Sequence, residues 1–348
     1  MTKPVNLKIM KNQRSQNFAR LFLSVTLVFT LAIMIASCKK DGETKNDTTG
    51  LQTLVTQADG YVTTAHEGNA PGTYVKGSLS TLQSKADIAK QTLNNSNATQ
   101  SEITTATTNL QDAIYAFEAN QIKDISLAFG ATDSTFAQET SANSAVIFNR
   151  SNFTFEAWVI YSAKPGFFGQ IASTEFYENG VRGWNLRIGD NDALDFTVID
   201  GTESRLQPLT GATVPRNKWT HVACTFDGTT MKSYINGLLV GELNAADRDS
   251  IFLTGTMAKK QPLTFGNSAG FRQPERRLVG KLYDVRFWSV ARTIQDIKAN
   301  KDFILTGTEP NLVAYWPFIK SSPQTTIQDK TGKYNLLLKN GTVLGTRN

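Results

Sequence analysis

Three aspartates, Asp190, Asp192 and Asp195, stand in a D-x-D-x-x-D stretch, a density of carboxylates from which a calcium ion could draw some of its oxygen ligands. A second group of residues could do different chemistry. Phe176 and Tyr177, then Arg182 and Trp184, and further along Phe271 and Arg272, place aromatic rings beside polar side chains. A flat ring beside hydrogen-bonding groups is what a saccharide needs, so these six are the candidate ligand-binding residues. Histidine and cysteine chemistry is thin, because the chain has only His66, His221, Cys38 and Cys224. That is too few for a zinc site built from such ligands or for a Ser-His-Asp triad. Cys224 would need an adjacent base to act as a nucleophile. His221 lies three residues away in a run that reads as a strand, which puts the two side chains on opposite faces and makes Cys224 a core residue.

These residues need elements to hold them, and the chain of 348 residues divides visibly. Residues 1–37 carry Lys3, Lys8, Lys11, Arg14 and Arg20 and no acid. Removing those five from the 36 basic residues leaves 31 against 30 acidic, so the formal charge of +6 belongs to this segment. The remainder has no clustered basic footprint for nucleic acid. Residues 21–36 form an uncharged apolar run of 16, shorter than the roughly 20 that span a bilayer, so basic start and apolar run together read as a secretory signal. The run ends at Ile35-Ala36-Ser37-Cys38, which resembles a lipobox. The resemblance implies cleavage before Cys38, acylation of that cysteine and anchorage to a membrane, with the uncleaved signal anchor as the alternative. Cys38-Lys39-Lys40-Asp41 is also similar to the start of Bacteroidota lipoproteins, which implies the outer membrane and display at the cell surface. Residues 38–50 are short, polar and charged, and read as a tether.

From 51 to 122 the apolar residues keep helical spacing. Leu51, Leu54, Val55, Ala58, Val62 and Ala65 mark one helix; Leu79, Leu82, Ala86, Ala89 and Leu93 mark a second. Glu67-Gly68-Asn69-Ala70-Pro71-Gly72 separates them. Thr99-Gln100-Ser101-Glu102 has capping-box spacing and starts a third, with Ile103, Ala106, Leu110, Ala113, Ile114 and Phe117 on one side. Three such helices make an antiparallel bundle. Leu51-x-x-Leu54-Val55, Glu67-Gly68, Pro71-Gly72-x-Tyr74 and Ala116-Phe117 resemble the pattern of FIVAR-like modules, which implies a spacer.

Residues 123–348 read as all-β, with short apolar runs between turn signals. Trp184–Ile188 and Leu194–Ile199 are two of them, and Tyr234-Ile235-Asn236-Gly237 closes a hairpin. The order of the runs resembles the LamG/pentraxin-like branch of the concanavalin A-like lectin and glucanase superfamily. The residues that carry the likeness are Phe153-Thr154-Phe155-Glu156-Ala157-Trp158, Trp219-Thr220-His221-Val222-Ala223, Tyr234–Gly237, Gly280-Lys281-Leu282-Tyr283-Asp284-Val285-Arg286-Phe287-Trp288, the short helix at Ala291–Ile297, and Leu312-Val313-Ala314-Tyr315-Trp316-Pro317-Phe318. The resemblance implies an antiparallel β-sandwich of the jelly-roll type, with Trp158, Trp219, Trp288 and Trp316 in or near its core. Glycanases of the superfamily place acids at alternate positions of one strand, and neither Glu-x-Asp-x-Glu nor Glu-x-Asp-x-x-Glu occurs here. The expectation is a non-catalytic surface module that binds a glycan. A module that binds a surface protein or is purely structural is the second reading, and a glycan-degrading enzyme the third.

Overall fold

A computed structural model describes residues 46–130, 135–164, 166–175, 182–200, 203–206, 212–244, 261–270, 274–319 and 325–347. Cys38, Phe176, Tyr177, Phe271 and Arg272 lie outside the described residues, as does the side chain of Arg182.

The first elements are α1 Thr49–Thr64, α2 Ser78–Asn94 and α3 Gln100–Ala119. Their buried residues recur every three or four positions: Leu51, Leu54, Val55 and Ala58 on α1, Leu82, Ala86 and Ala89 on α2, Ile103, Ala106, Leu110, Ile114 and Phe117 on α3. Each helix therefore gives one apolar stripe to a shared core. The capping box forms at α3, where Thr99 N donates to Glu102 Oε2 at 2.7 Å and Glu102 N donates to Thr99 Oγ1 at 3.3 Å.

Among the described residues, the strands that follow make two antiparallel sheets of eight. The first contains β1 Ser126–Phe129, β3 Phe153–Ala163, β8 Thr220–Phe226, β9 Thr230–Ile235, β10 Leu238–Asn244, β12 Val279–Trp288, β13 Leu312–Trp316 and β16 Val343–Gly345. Its order is β10-β9-β8-β3-β12-β1-β16, with β13 also paired to β12. The second contains β2 Phe136–Glu139, β4 Gly169–Ser173, β5 Arg182–Ile188, β6 Leu194–Asp200, β7 Glu203–Leu206, β11 Thr264–Phe265, β14 Thr326–Gln328 and β15 Asn335–Lys339. Its order is β14-β15-β2-β11-β4-β5-β6-β7. Two short helices, α4 Ser144–Ile147 and α5 Ile294–Asn300, complete the described set. The hairpin between β9 and β10 turns at Asn236 and Gly237, with φ of 52° and 74°, the left-handed pair that a tight turn requires.

Between the sheets lies one core rich in rings. Phe153 stacks on Phe287 at 5.5 Å, and Trp184 lies 5.0 Å from Phe153 and 5.5 Å from Phe155. Cys224 faces this core, fully buried, while His221 packs against Trp158 on the other side of β8. Trp288 and Trp316 are buried; Trp158 and Trp219 are half-buried against the core.

The bundle does not stand apart from the sandwich. Val75 and Ile122 pack into one cluster with Trp288, Ile304, Leu305, Leu312, Tyr315 and Ile319. Asn69 Nδ2 donates to Lys301 O at 3.1 Å, and Arg347 Nη1 donates to Asn69 O at 2.5 Å. The guanidinium of Arg347 also lies 3.8 Å from the Tyr283 ring and donates through Nε to Ile125 O at 3.1 Å. The last residues of the chain thus hold the helix–sandwich junction.

Candidate functional site

Two groups of buried polar side chains could be a site, one on the outer face of each sheet. On the first sheet Glu156, fully buried, accepts from Trp288 Nε1 at 2.7 Å and from Arg292 Nη1 at 2.8 Å. His221 Nε2 lies 3.3 Å from its second oxygen, and Arg286 Nη1 3.8 Å from its first. Arg286 holds Asp284 through two bonds, Nε to Oδ1 at 3.1 Å and Nη2 to Oδ2 at 2.6 Å. Asp284 is at φ 55°, within a bulge where β12 shifts register against β3 between Tyr283 and Arg286. The bulge lets Val285 enter the core while Asp284 and Arg286 stay together on the outer face.

The outward bonds that this network makes go to protein, while Glu156 Oε2 and His221 Nδ1 are buried without a hydrogen-bond partner. Arg286 donates to Asn300 O and Phe303 O, Trp158 Nε1 to Lys301 O, and Tyr315 Oη to Asp284 while accepting from Leu305 N. Glu156, His221, Asp284, Arg286 and Trp288 come from the very motifs that carry the family resemblance. Their work is to fasten α5 and residues 300–305, and through them the bundle, to the first sheet. Burial pushes the Glu156 carboxyl up, but His221 and the guanidiniums of Arg286 and Arg292 outweigh it and hold the group at about 2.

The second sheet is different. Its neighbouring rows alternate cleanly across the strands. Phe265, Ala172, Leu186, Phe196 and Leu206 are paired partners on β11, β4, β5, β6 and β7, and all face the core. The next row reads Gln138, Thr264, Ser173, Asn185, Thr197 and Arg205, again directly paired from β2 through β7, and every member is polar. Strand periodicity puts this row on the face away from the core. Beside it, Gln170 pairs with Arg187 and Arg187 with Asp195.

Glu175, which follows β4, organises one end of this face. It accepts from Asn185 Nδ2 at 2.5 Å, Gln170 Nε2 at 3.4 Å and Arg276 Nη1 at 2.8 Å. Asp195 organises the other, held by Arg187 Nε at 2.9 Å and by Arg205 through both oxygens. The Phe168 ring lies between them, 3.7 Å from the Arg187 guanidinium and 5.7 Å from those of Arg205 and Arg276. Because both amide nitrogens turn to Glu175, Gln170 Oε1 and Asn185 Oδ1 are left without a hydrogen-bond partner in the protein, as are Thr197 Oγ1, Asn267 Nδ2 and Ser268 Oγ. These five residues are buried, and buried polar groups without partners are rare in folded proteins.

The expected site residues fall partly here and partly elsewhere. Trp184 is not on a recognition surface: it is fully buried in the core, with Nε1 donating to Phe148 O at 2.7 Å. Arg182 opens β5, paired with Asp200. The three aspartates do not converge. Asn191 and Asp192 take left-handed backbone at φ 53° and 59°, and the chain turns sharply before β6. Asp190 is exposed, Asp192 pairs with Arg216 at 3.0 Å, and Asp195 lies buried under its two arginines. Calcium needs six to eight oxygen ligands, and carboxylates already bound to guanidiniums do not supply them. Among the described residues no group of three His, Cys, Asp or Glu side chains is placed to hold a metal. Glu175 and Gly270, from which the segments bearing Phe176, Tyr177, Phe271 and Arg272 depart, are joined by a bond from Gly270 N to Glu175 O at 2.9 Å.

Missed by sequence reasoning were Gln170, Glu175, Asn185, Arg187, Thr197 and Arg205. A signal for part of the set was present in Trp184-Asn185-Leu186-Arg187-Ile188 and Leu194-Asp195-Phe196-Thr197-Val198. The large apolar residues share one parity, so the polar ones must share the other face.

Residues 130–298 match the model of the concanavalin A-like lectin/glucanases superfamily, and residues 47–118 match that of the FIVAR domain. No curated protein matches the chain. Among solved structures, a candidate carbohydrate binding protein from Bacteroides ovatus is 24% identical, with 64% of this chain and 60% of that one covered and a TM-score of 0.49. The chain therefore spans less than two thirds of that protein's length. The native heptameric SAP-like pentraxin of Limulus polyphemus is 13% identical over 64% of this chain and 95% of its own, with a TM-score of 0.41. The CBM40 of the Ruminococcus gnavus IT-sialidase, bound to α2,3 sialyllactose, is 11% identical over 50% and 95%, also at 0.41. The protein thus folds as a three-helix bundle, over residues that match the FIVAR model, followed by an antiparallel β-sandwich, over residues that match the concanavalin A-like one.

Proposed function

We propose that the polar face of the second sheet binds a carbohydrate and does so without catalysis. The observation that carries this reading is the cross-strand row from Gln138 to Arg205, with buried amide and hydroxyl groups whose hydrogen bonds the protein leaves unmade. Such groups are costly unless something else partners them; Asn185 and Thr197 are buried, so a sugar seated at the exposed Arg205 end of the row would reach them through bridging water. Glu175 and Asp195 are each bound to guanidiniums, an arrangement that orients neighbours rather than moving protons, which supports binding over hydrolysis. The superfamily that the sandwich matches includes lectins, which agrees with the reading.

A glycan array probed with the purified protein tests it. Binding to a defined glycan class is expected, and Asn185→Ala should weaken it by about tenfold, the scale of one lost hydrogen-bonding group and the disturbed Glu175 beside it. A chelator should leave binding unchanged, because the three aspartates do not form a cage. A silent array for wild type would sink the reading.

The sequence pattern around Cys38 supports a second part of the proposal, that the protein is held to the outer membrane by a lipidated N-terminus and displayed at the cell surface. Cys38→Ala is expected to release the protein from the membrane fraction and abolish incorporation of labelled fatty acid. Retention of the variant in the membrane would favour an uncleaved anchor.

A further inference from the structure

A single apolar side chain on a protein surface is ordinary. Phe167 differs from that pattern in exposure, mounting and place. It is 72% exposed, the most of any large apolar residue among those described. Its loop, between β3 and β4, is nevertheless clamped. Gly166 runs so close to the turn at Pro274–Arg276 that a Cβ there would lie 2.7 Å from Glu275 Cα and from its carbonyl oxygen. Phe168 N donates to Glu275 O at 3.4 Å. Lys164 Nζ donates to Gly189 O at 2.5 Å and reaches Phe167 O at 3.5 Å. The next residue, Phe168, carries the ring set among Arg187, Arg205 and Arg276, and the two phenyl rings are 6.3 Å apart. The backbone that carries Phe167 is therefore held at the rim of the polar face, with the ring in solvent.

We infer that Phe167 is the aromatic platform of the carbohydrate site, and that the sugar it receives is a pyranose with a continuous C–H face. This rests on the carbohydrate reading above. The face of a phenyl ring is the negative side of its quadrupole and attracts polarised C–H groups. A β-galactoside or β-glucoside offers three or more axial C–H bonds on one side of the ring and hydroxyls around its edge. Such a ring can lie flat on Phe167 while the chain runs on along the exposed edge of the polar face at Arg205. A furanoside or a sugar with axial hydroxyls on both faces offers no such surface.

The test uses the full chain with cellohexaose and a β-1,4-galactohexaose as probes, and arabinofuranosyl and α-mannosyl oligosaccharides as controls. Wild type is expected to bind at least one of the two probes. Phe167→Ala should lose about tenfold or more in affinity, as for truncating one aromatic anchor, and Phe167→Trp should retain it. Melting temperatures of both variants should match wild type, because an exposed side chain adds little to stability. If Phe167→Ala binds a probe as well as wild type, the platform is overturned while the carbohydrate reading stands. Binding of the control oligosaccharides alone would overturn the pyranose class and again spare that reading. Silence toward every oligosaccharide would remove both.

Discussion

Replacing Glu156 by alanine is expected to destabilise the sandwich by about 3–5 kcal/mol, the usual result of removing one partner from a buried ion pair. The size of the effect follows from what the carboxylate holds. Trp288, Arg292, Arg286 and His221 converge on it from β12, the segment after β12, and β8. Without it two guanidiniums are left buried with one carboxylate, Asp284, which Arg286 already occupies through two bonds. Urea denaturation followed by tryptophan fluorescence would measure the loss, and a midpoint within error of wild type would show the network to be dispensable. The same residue sets a pH dependence. Its folded value of about 2 lies below the ordinary 4.5, so its contribution is present in full above about pH 4.5 and disappears as the pH falls toward 2. Comparing wild type with Glu156→Gln isolates that contribution, and the variant should show the shallower acid limb.

The second large effect separates two adjacent residues. Trp184→Ala should lower stability by about 3–5 kcal/mol, as removal of a buried ring and the cavity it leaves does elsewhere. It removes the contacts with Phe153, Phe155 and Phe287 and the bond to Phe148 O. Asn185→Ala, one position on, should cost less stability, about 1–3 kcal/mol from the lost bond to Glu175, and weaken glycan affinity besides. Thermal unfolding and array binding of the two variants separate the two faces of β5. Loss of glycan affinity without loss of stability in Trp184→Ala would contradict this assignment of faces.

Much of the architecture could be read from local pattern. Helical spacing at Leu51 to Ala58 and the Thr99–Glu102 box depend on residues within a turn or two of one another. Asn236-Gly237 is a turn by its own backbone preference. The motif residues of β3, β8 and β12 were legible as fold markers, but their shared purpose was not, because Glu156 and Arg292 meet only through tertiary folding. The binding face was harder still. Thr264, Ser173, Asn185 and Thr197 come from four strands, and their alignment depends on register, which no single segment encodes. Trp184 shares the parity of Leu186 and Ile188, and that parity rather than its ring chemistry sets where it lies, in the core. The Asp190–Asp195 stretch shows a related limit. Spacing brings carboxylates near in sequence, whereas the left-handed turn at Asn191 and Asp192 and the arginines of β5 and β7 divide them.

The pairing of β1 with β16 has a kinetic consequence. Ser126 and Gly345 are partners across 219 residues, and β2 waits in the same way for β15. At a synthesis rate of about 5–20 residues per second, the first strand is made roughly 10–40 s before its last partner. The bundle, whose contacts are local, can fold early, whereas contacts of such long separation form slowly. Until the final strand arrives, the sandwich presents unpaired edges that invite association with other chains. The sandwich is therefore expected to close only once Val343–Gly345 has been made, and a chain truncated before Val343 should aggregate rather than form a smaller sandwich.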